Sequence, residues 1–167
     1  MTSPRLVAVI PALNEEKTIA AVVDAAKKYV DEVIVVDDAS SDSTASVARQ
    51  KGATVVSHKI RGGYDKTIGD GFEMAVAIKA GIVMTLDADG QHDPSDIPRL
   101  IQPIEKSEAD IVVGRRIRRA RISETLFAES IVSDCISRSS DILIYFPSQS
   151  LKQVLRFILF MNYLIFC

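Results

Sequence analysis

Cysteine is almost missing. The 167-residue chain contains only Cys135 and Cys167. Neither a disulfide framework nor a cysteine-rich zinc site can be built from that pair, and such scarcity suits a reducing compartment. Charge of one sign is missing too: 20 basic against 22 acidic residues leave a formal net charge of −2. Nothing global therefore argues for a nucleic-acid partner. Internal repeats and low-complexity linkers are absent. The apolar run inside MTSPRLVAVIPALNEE is too short for a signal peptide and reads as a first strand. The most apolar stretch, QVLRFILFMNYLIFC, is short for a membrane span, and three readings stay open: a core helix, an interfacial helix, or the start of a span. What remains is 47% hydrophobic and 25% charged, the balance of a globular domain with a real core.

The first two-thirds of the chain alternate between apolar runs and helical periodicity. Runs at Leu6–Ile10, Val33–Val36, Ala53–Ser57, Ile82–Leu86 and Ala109–Val113 predict five strands. Between them, stripes such as Ile19, Val22, Val23 and Ala26, or Ile68, Phe72, Ala75 and Ile78, predict four helices. Asn14, Ser41 and Asp42 are candidate helix caps, Gly52 is a stop, and Asp93 with Pro94 forms an N-cap and first-turn pair. In the fourth helix Pro98 and Pro103 shorten or bend the stripe of Ile97, Leu100, Ile101 and Ile104. This alternation predicts an α/β fold, an open, mostly parallel sheet with helices on both faces. In such sheets ligands bind outside the carboxyl ends of the strands. Five segments should then meet at one crevice: Pro11–Glu16, Asp37–Asp42, His58–Lys66, Asp87–Asp93 and Gly114–Arg121.

TLDADGQHDP carries the strongest chemistry. Asp87 and Asp89 leave a strand end two residues apart and can point the same way. Two carboxylates so placed repel unless a cation lies between them. Mg²⁺ suits such a pair, because it binds through one or two carboxylates and keeps positions for substrate phosphates. Gln91 adds a neutral oxygen, and His92 can contribute if the ion is Mn²⁺. In VIVVDDASSDST, Asp37 or Asp38 can accept from a ribose hydroxyl or a base N–H, while Asp42 suits turn chemistry. PALNEE contains no glycine, so it is not a phosphate-cradling loop; Glu15 is its candidate polar contact. KIRGGYDK sets Gly62 and Gly63 among Lys59, Arg61 and Lys66, a basic loop suited to a diphosphate and equally to an ordinary surface. GRRIRR supplies arginine forks that match phosphate oxygens, with Arg115 nearest the strand end. His58 ends a strand and reads as structural.

Together VIPALNEE, VIVVDDASSDST, TLDADGQHDP and IVVGRR, in that order over residues 5–116, resemble family 2 glycosyltransferases of the GT-A fold. The similar subgroup is that of dolichol-phosphate mannosyltransferases and related polyprenyl-phosphate sugar transferases. The resemblance implies nucleotide-sugar contacts at Pro11, Ala12, Glu15, Asp37, Asp38, Lys66 and Asp87, and Mg²⁺ or Mn²⁺ on Asp87, Asp89 and Gln91. It implies catalytic roles for Asp89 and Arg115, GDP-mannose or UDP-glucose as donor, and a polyprenyl phosphate acceptor. It implies a cytoplasmic enzyme, peripheral at the cytosolic face of a membrane. Residues 1–122 then form the nucleotide-sugar-binding domain, and 123–167 an incomplete or divergent acceptor-side segment with an apolar C-terminal helix. A lipid phosphate is already ionised near neutral pH, so its attack needs positioning more than a strong base. The alternatives are a truncated homologue that binds nucleotide sugar and metal without transfer, and a sugar nucleotidyltransferase. The second should carry a Gly-rich basic loop after the first strand.

Overall fold

The computed structural model describes residues 5–112, 114 and 146–147. The expectations for Arg115, for the rest of the basic stretch, and for the segment 123–167 beyond that dipeptide lie outside the described residues. Strands β1 (Leu6–Ala12), β2 (Glu32–Asp37), β3 (Thr54–Ser57), β4 (Ile82–Thr85) and β5 (Phe146–Pro147) form one sheet in the order β3-β2-β1-β4-β5. The first four are parallel, and β5 is antiparallel to β4. Helices α1 (Ile19–Ala26), α2 (Thr44–Gln50) and α3 (Tyr64–Ala77) supply the crossovers, and α4 (Ile97–Glu105) follows β4 after a short 3₁₀ turn at Pro94–Asp96. Among the described residues no helix is long and apolar enough to cross a membrane.

The strands are unbroken apolar runs because both faces are covered. Along β1, Leu6, Ala8, Ile10 and Ala12 pack with α1 and with Ile97 and Ile104 of α4. The alternate residues Val7 and Val9 pack with Ile68, Phe72 and Ala75 of α3. The two-residue period of a strand thus feeds two separate cores. Helix α3 lies so close to the sheet that a Cβ on Gly71 would stand 2.3 Å from Val9 Cγ1 and 3.1 Å from Val36 Cγ2. Gly52 ends α2 with φ at +77°, a conformation that favours glycine.

Two sequence expectations are corrected. Ala109–Val112 form no strand. The N–H groups of Glu108 and Ala109 turn back to the Pro103 carbonyl, Ser107 takes a left-handed φ of +58°, and the outer edge of β4 pairs with Phe146–Pro147 instead. A strand needs a free ladder edge, and this one is taken. Asn14 does not cap a helix either. Its φ is +57°, its Oδ1 accepts from the backbone N–H of Ser41 at 2.9 Å, and its own N–H donates to Ser40 Oγ. It clamps the loop after β1 to the loop after β2. Asp42 does act at a helix start: its Oδ1 accepts the Thr44 N–H at 2.9 Å.

Register brings the ends of β1, β2 and β3 level, while β4 stops three residues short of the end of β1. Ala12 pairs with Asp37, Asp37 with Ser57, and Val9 with Thr85. The loops leaving β1, β2 and β4 therefore open on the same edge of the sheet.

Candidate active site

A crevice of about 200 Å³ lies at that edge. Its floor is the end of β1, with Pro11, Ala12, Leu13 and Glu15. Asp87, Ala88 and Asp89 form the rim after β4, and Tyr64 and Thr67 of α3 with Asp38 form the opposite rim. Of the residues singled out in the sequence, Pro11, Ala12, Glu15, Asp38, Asp87 and Asp89 are brought together. Asp37, Lys66 and Gln91 do not line the crevice, and Arg115 lies outside the described residues.

The β4 rim is a tight turn. Leu86 N–H still reaches back to the Val9 carbonyl, so the sheet fixes where the turn begins. Asp87 N–H donates to His92 Nδ1 at 3.0 Å. That leaves the ring proton on Nε2, which stands 3.6 Å from Asp87 Oδ2. Gly90 takes φ at +77°, and Gln91 N–H donates to Asp89 Oδ1 at 2.9 Å. Ala88 packs into the core between a half-buried Asp87 and an exposed Asp89. The two carboxylates thus border one opening. Asp93 closes the turn by accepting the Ser95 N–H, as its position before Pro94 predicts.

The β2 rim is built differently. Asp37 is buried, and its Oδ1 has no hydrogen-bond partner among the described residues. Asp38, also buried, accepts from His58 Nδ1 and from Gly62 N–H at 2.7 Å each on Oδ1, and from Gly63 N–H at 3.0 Å on Oδ2. Burial pushes the Asp38 carboxyl up, but the bonds from Gly62, His58 and Gly63 prevail and hold it below the ordinary aspartate value. His58 Nε2 lies 2.7 Å from Asp70 Oδ2 on α3. The hydrogen bond to Asp38, opposed by burial and reinforced by Asp70, holds the His58 proton above the ordinary imidazole value. Lys66 pairs with the same Asp70 oxygen across one helical turn, and this bond, followed by that of His58, lowers the Asp70 carboxyl. Sequence reading left this His58 array unseen. Asp70 carries no spacing signal toward His58, 12 residues earlier, until α3 folds back over the sheet. Tyr64 was missed for the same reason. Partial burial and then the Asp87 and Asp65 carboxylates push its phenol up to about 12, so it is a hydrogen-bond donor at the crevice mouth near neutral pH.

The fit to a divalent cation can be judged from the donor set. Among the described residues no three His, Cys, Asp or Glu side chains are grouped to hold a metal, which excludes a zinc-type cage there. Asp87 and Asp89 offer two hard carboxylates at an open rim. That set fits an ion which draws its other ligands from phosphate oxygens and water.

Comparison with known proteins extends this picture. The sequence model of glycosyl transferase family 2 matches residues 7–156. A UDP-N-acetylglucosamine–dolichyl-phosphate N-acetylglucosaminyltransferase of Methanococcus voltae is 33% identical over 68% of this chain and 52% of its own length. A dodecaprenyl-phosphate galacturonate synthase of Rhizobium johnstonii is 33% identical over 76% of this chain and 39% of its own. Glucosyl-3-phosphoglycerate synthase of Mycobacterium tuberculosis, solved with Mn²⁺, UDP-glucose and phosphoglyceric acid, superposes with a TM-score of 0.55 at 32% identity, over 64% of this chain and 41% of that one. With Mn²⁺, UDP and its product, the same enzyme reaches 0.66 at 26% identity over 88% of this chain and 58% of that one. The chain spans about half the length of the curated relatives it matches.

Proposed function

The chain belongs to glycosyl transferase family 2, and on that footing we propose that it carries the donor half of an inverting transferase that moves a hexose from a nucleotide diphosphate sugar to a polyprenyl phosphate at the cytosolic face of a membrane. The observation that carries this reading is the shared crevice: Asp87, Asp89 and Asp38 line it together with a floor of Pro11, Ala12 and Glu15. The two lipid-phosphate transferases among the relatives support the acceptor class. GDP-mannose and UDP-glucose are the proposed donors.

The crevice residues divide the work. Pro11 and Ala12 give a glycine-free floor for the nucleoside, with Glu15 and Asp38 as polar contacts for ribose and base; Asp37, buried at the end of β2, stands behind that lining. Thr67 and the Tyr64 phenol face the diphosphate path from the α3 side. Asp87 and Asp89 would hold Mg²⁺ or Mn²⁺, with Gln91 next to them on the same turn. When bound, such an ion supplies Lewis-acid stabilisation of the charge that develops on the leaving diphosphate. In the reaction an acceptor phosphate oxygen forms a bond to the anomeric carbon as the carbon–oxygen bond to the diphosphate breaks. The electron pair stays with the diphosphate, and the sugar carbon inverts. No proton has to be removed from an ionised phosphate acceptor, so the need is for positioning. Arg115 is the proposed contact to that phosphate.

The likeness to glucosyl-3-phosphoglycerate synthase favours a second reading, with a small water-soluble phosphate as acceptor. One assay separates the two. GDP-mannose, UDP-glucose and UDP-N-acetylglucosamine are each incubated with Mn²⁺ and either a polyprenyl phosphate or 3-phosphoglycerate. Label in the lipid supports the first reading, and label in phosphoglycerate replaces it with the second. Nucleotide binding without transfer to either leaves a binding homologue, and release of nucleoside triphosphate on adding pyrophosphate marks a nucleotidyltransferase.

A further inference from the structure

His58 is one of two histidines in the chain, and it is not among the residues that line the crevice. Its side chain is 9% exposed, that of Asp38 is 8% and that of Asp70 is 28%. Both ring nitrogens lie 2.7 Å from a carboxylate oxygen, Nδ1 from Asp38 and Nε2 from Asp70. Only the imidazolium can donate to both, since a neutral ring has a single N–H. Asp38 in turn receives Gly62 N–H and Gly63 N–H. Gly63, at φ +83°, immediately precedes α3, and its carbonyl accepts from Thr67 Oγ1 at 2.7 Å. A run of hydrogen bonds thus leads from His58 through Asp38 and Gly63 to Thr67, which lines the crevice together with Tyr64, the residue after Gly63. We infer that His58 is a positioning residue for donor binding: its positive charge locks Asp38 and Asp70 together, fixes the Gly62–Gly63 turn, and so couples the set of the α3 rim to the protonation of this ring.

This inference rests on the proposed donor site. The groups around the ring come from three elements. Asp37, at the end of β2, accepts the His58 backbone N–H at its carbonyl, and Asp38 follows it. Asp70 and Lys66 face the ring from α3. Arg49 of α2 reaches Ser57, one residue before it. The carboxylates directly in contact outnumber the cations, so the proton is held to higher pH than on a free histidine. When it leaves, one of the two carboxylate contacts must open. The site should bind donor more weakly on the alkaline side of that step, by about tenfold for the loss of one charged hydrogen bond.

The test is an NMR and calorimetric pH series, from about pH 5.5 to about pH 9 so as to bracket imidazole titration, on the full chain. The ring signals of His58 and the amide signals of Gly62 and Gly63 are followed, and the affinity for UDP and GDP with Mn²⁺ is measured in the same series. The expected result is one shared alkaline midpoint for ring, glycine amides and nucleotide affinity. His58→Gln removes the alkaline step from the glycine amides and from affinity. Asp70→Asn keeps an acceptor but removes a charge, so it moves the shared midpoint to lower pH; this arm decides the matter if His58→Gln does not fold. Glycine amides that ignore the ring's titration, or a midpoint unmoved in Asp70→Asn, overturn the inference. So does nucleotide affinity that stays constant while ring and amides titrate, and then the donor reading stands. If no nucleotide binds at any pH, the donor reading falls and the coupling to it falls as well, while ring and amide signals still report whether the lock exists.

Discussion

The two rims of the crevice use the same residue type for opposite ends. On the β2 side Asp38 receives three hydrogen bonds from the protein itself, and Asp42 accepts from Thr44 and Glu16. These carboxylates are spent on joining loops. On the β4 side Asp89 is exposed and, among the described residues, accepts one bond from its own turn, at Gln91, while Asp87 stands half-buried beside it at the same opening. Internal donors hold the carboxyls of Asp38 and Asp42 below their ordinary values, although burial opposes this. Backbone donors within reach draw an acid at a strand end into joining loops, and Asp38 does this while still lining the crevice.

The contrast can be broken most sharply at Asp89. Asp89→Ala should cut glycosyl transfer on the order of 100-fold, the scale of losing one electrostatic stabiliser, while thermal unfolding stays close to wild type because a like charge has been removed from the rim. Asp38→Asn should differ by lowering stability as well as donor binding, because the residue both lines the crevice and joins loops. Losing the charge that binds Gly62, Gly63 and His58 should cost about 2–3 kcal/mol of stability in chemical denaturation. A stable Asp38→Asn protein would erase the distinction between the rims. Gly71→Ala tests the support beneath the α3 rim. Its Cβ would stand 2.3 Å from Val9 Cγ1, so the protein should lose about 1–3 kcal/mol, read as a lower unfolding midpoint.

Titration sharpens the comparison further. His58 is raised from its ordinary 6.5, so its contribution to stability is complete below that value and is lost as pH rises through the folded value. Asp38 and Asp70 are lowered from 3.8, so theirs is present above 3.8 and is lost as pH falls through the depressed values. Stability measured against pH should therefore carry an alkaline limb that His58→Gln removes. The smallest effect is expected at Lys66, whose side chain is 56% exposed and pairs only across one helical turn. Lys66→Ala should change stability by no more than about 0.5 kcal/mol and leave nucleotide affinity near wild type.

The distribution of these roles explains what was legible in the sequence. Four parallel strands and four helices were readable because each covered strand is an unbroken apolar run and each helix carries a stripe. The convergence of Pro11, Glu15, Asp38, Asp87 and Asp89 followed from the strand–helix alternation, which places the loops after parallel strands at one edge. Ala109–Val112 misled because an apolar run says nothing about whether a sheet edge is open, and Phe146–Pro147 holds that edge. Asn14 misled because a cap and a loop clamp use the same amide. The His58 array was illegible because His58, Asp38 and Asp70 come from three segments that only the folded sheet brings together. Composition could not say which acids the backbone would claim.

The central claim is that Asp87 and Asp89 hold a divalent cation against the donor diphosphate. The most direct measurement is calorimetric nucleotide affinity in Mn²⁺ and in chelator, for wild type and Asp89→Asn. The account predicts a wild-type affinity that falls on the order of 100-fold in chelator, and a variant that is weak in both. Equal wild-type affinity with and without the ion, or a variant that keeps the full Mn²⁺ dependence, would contradict it.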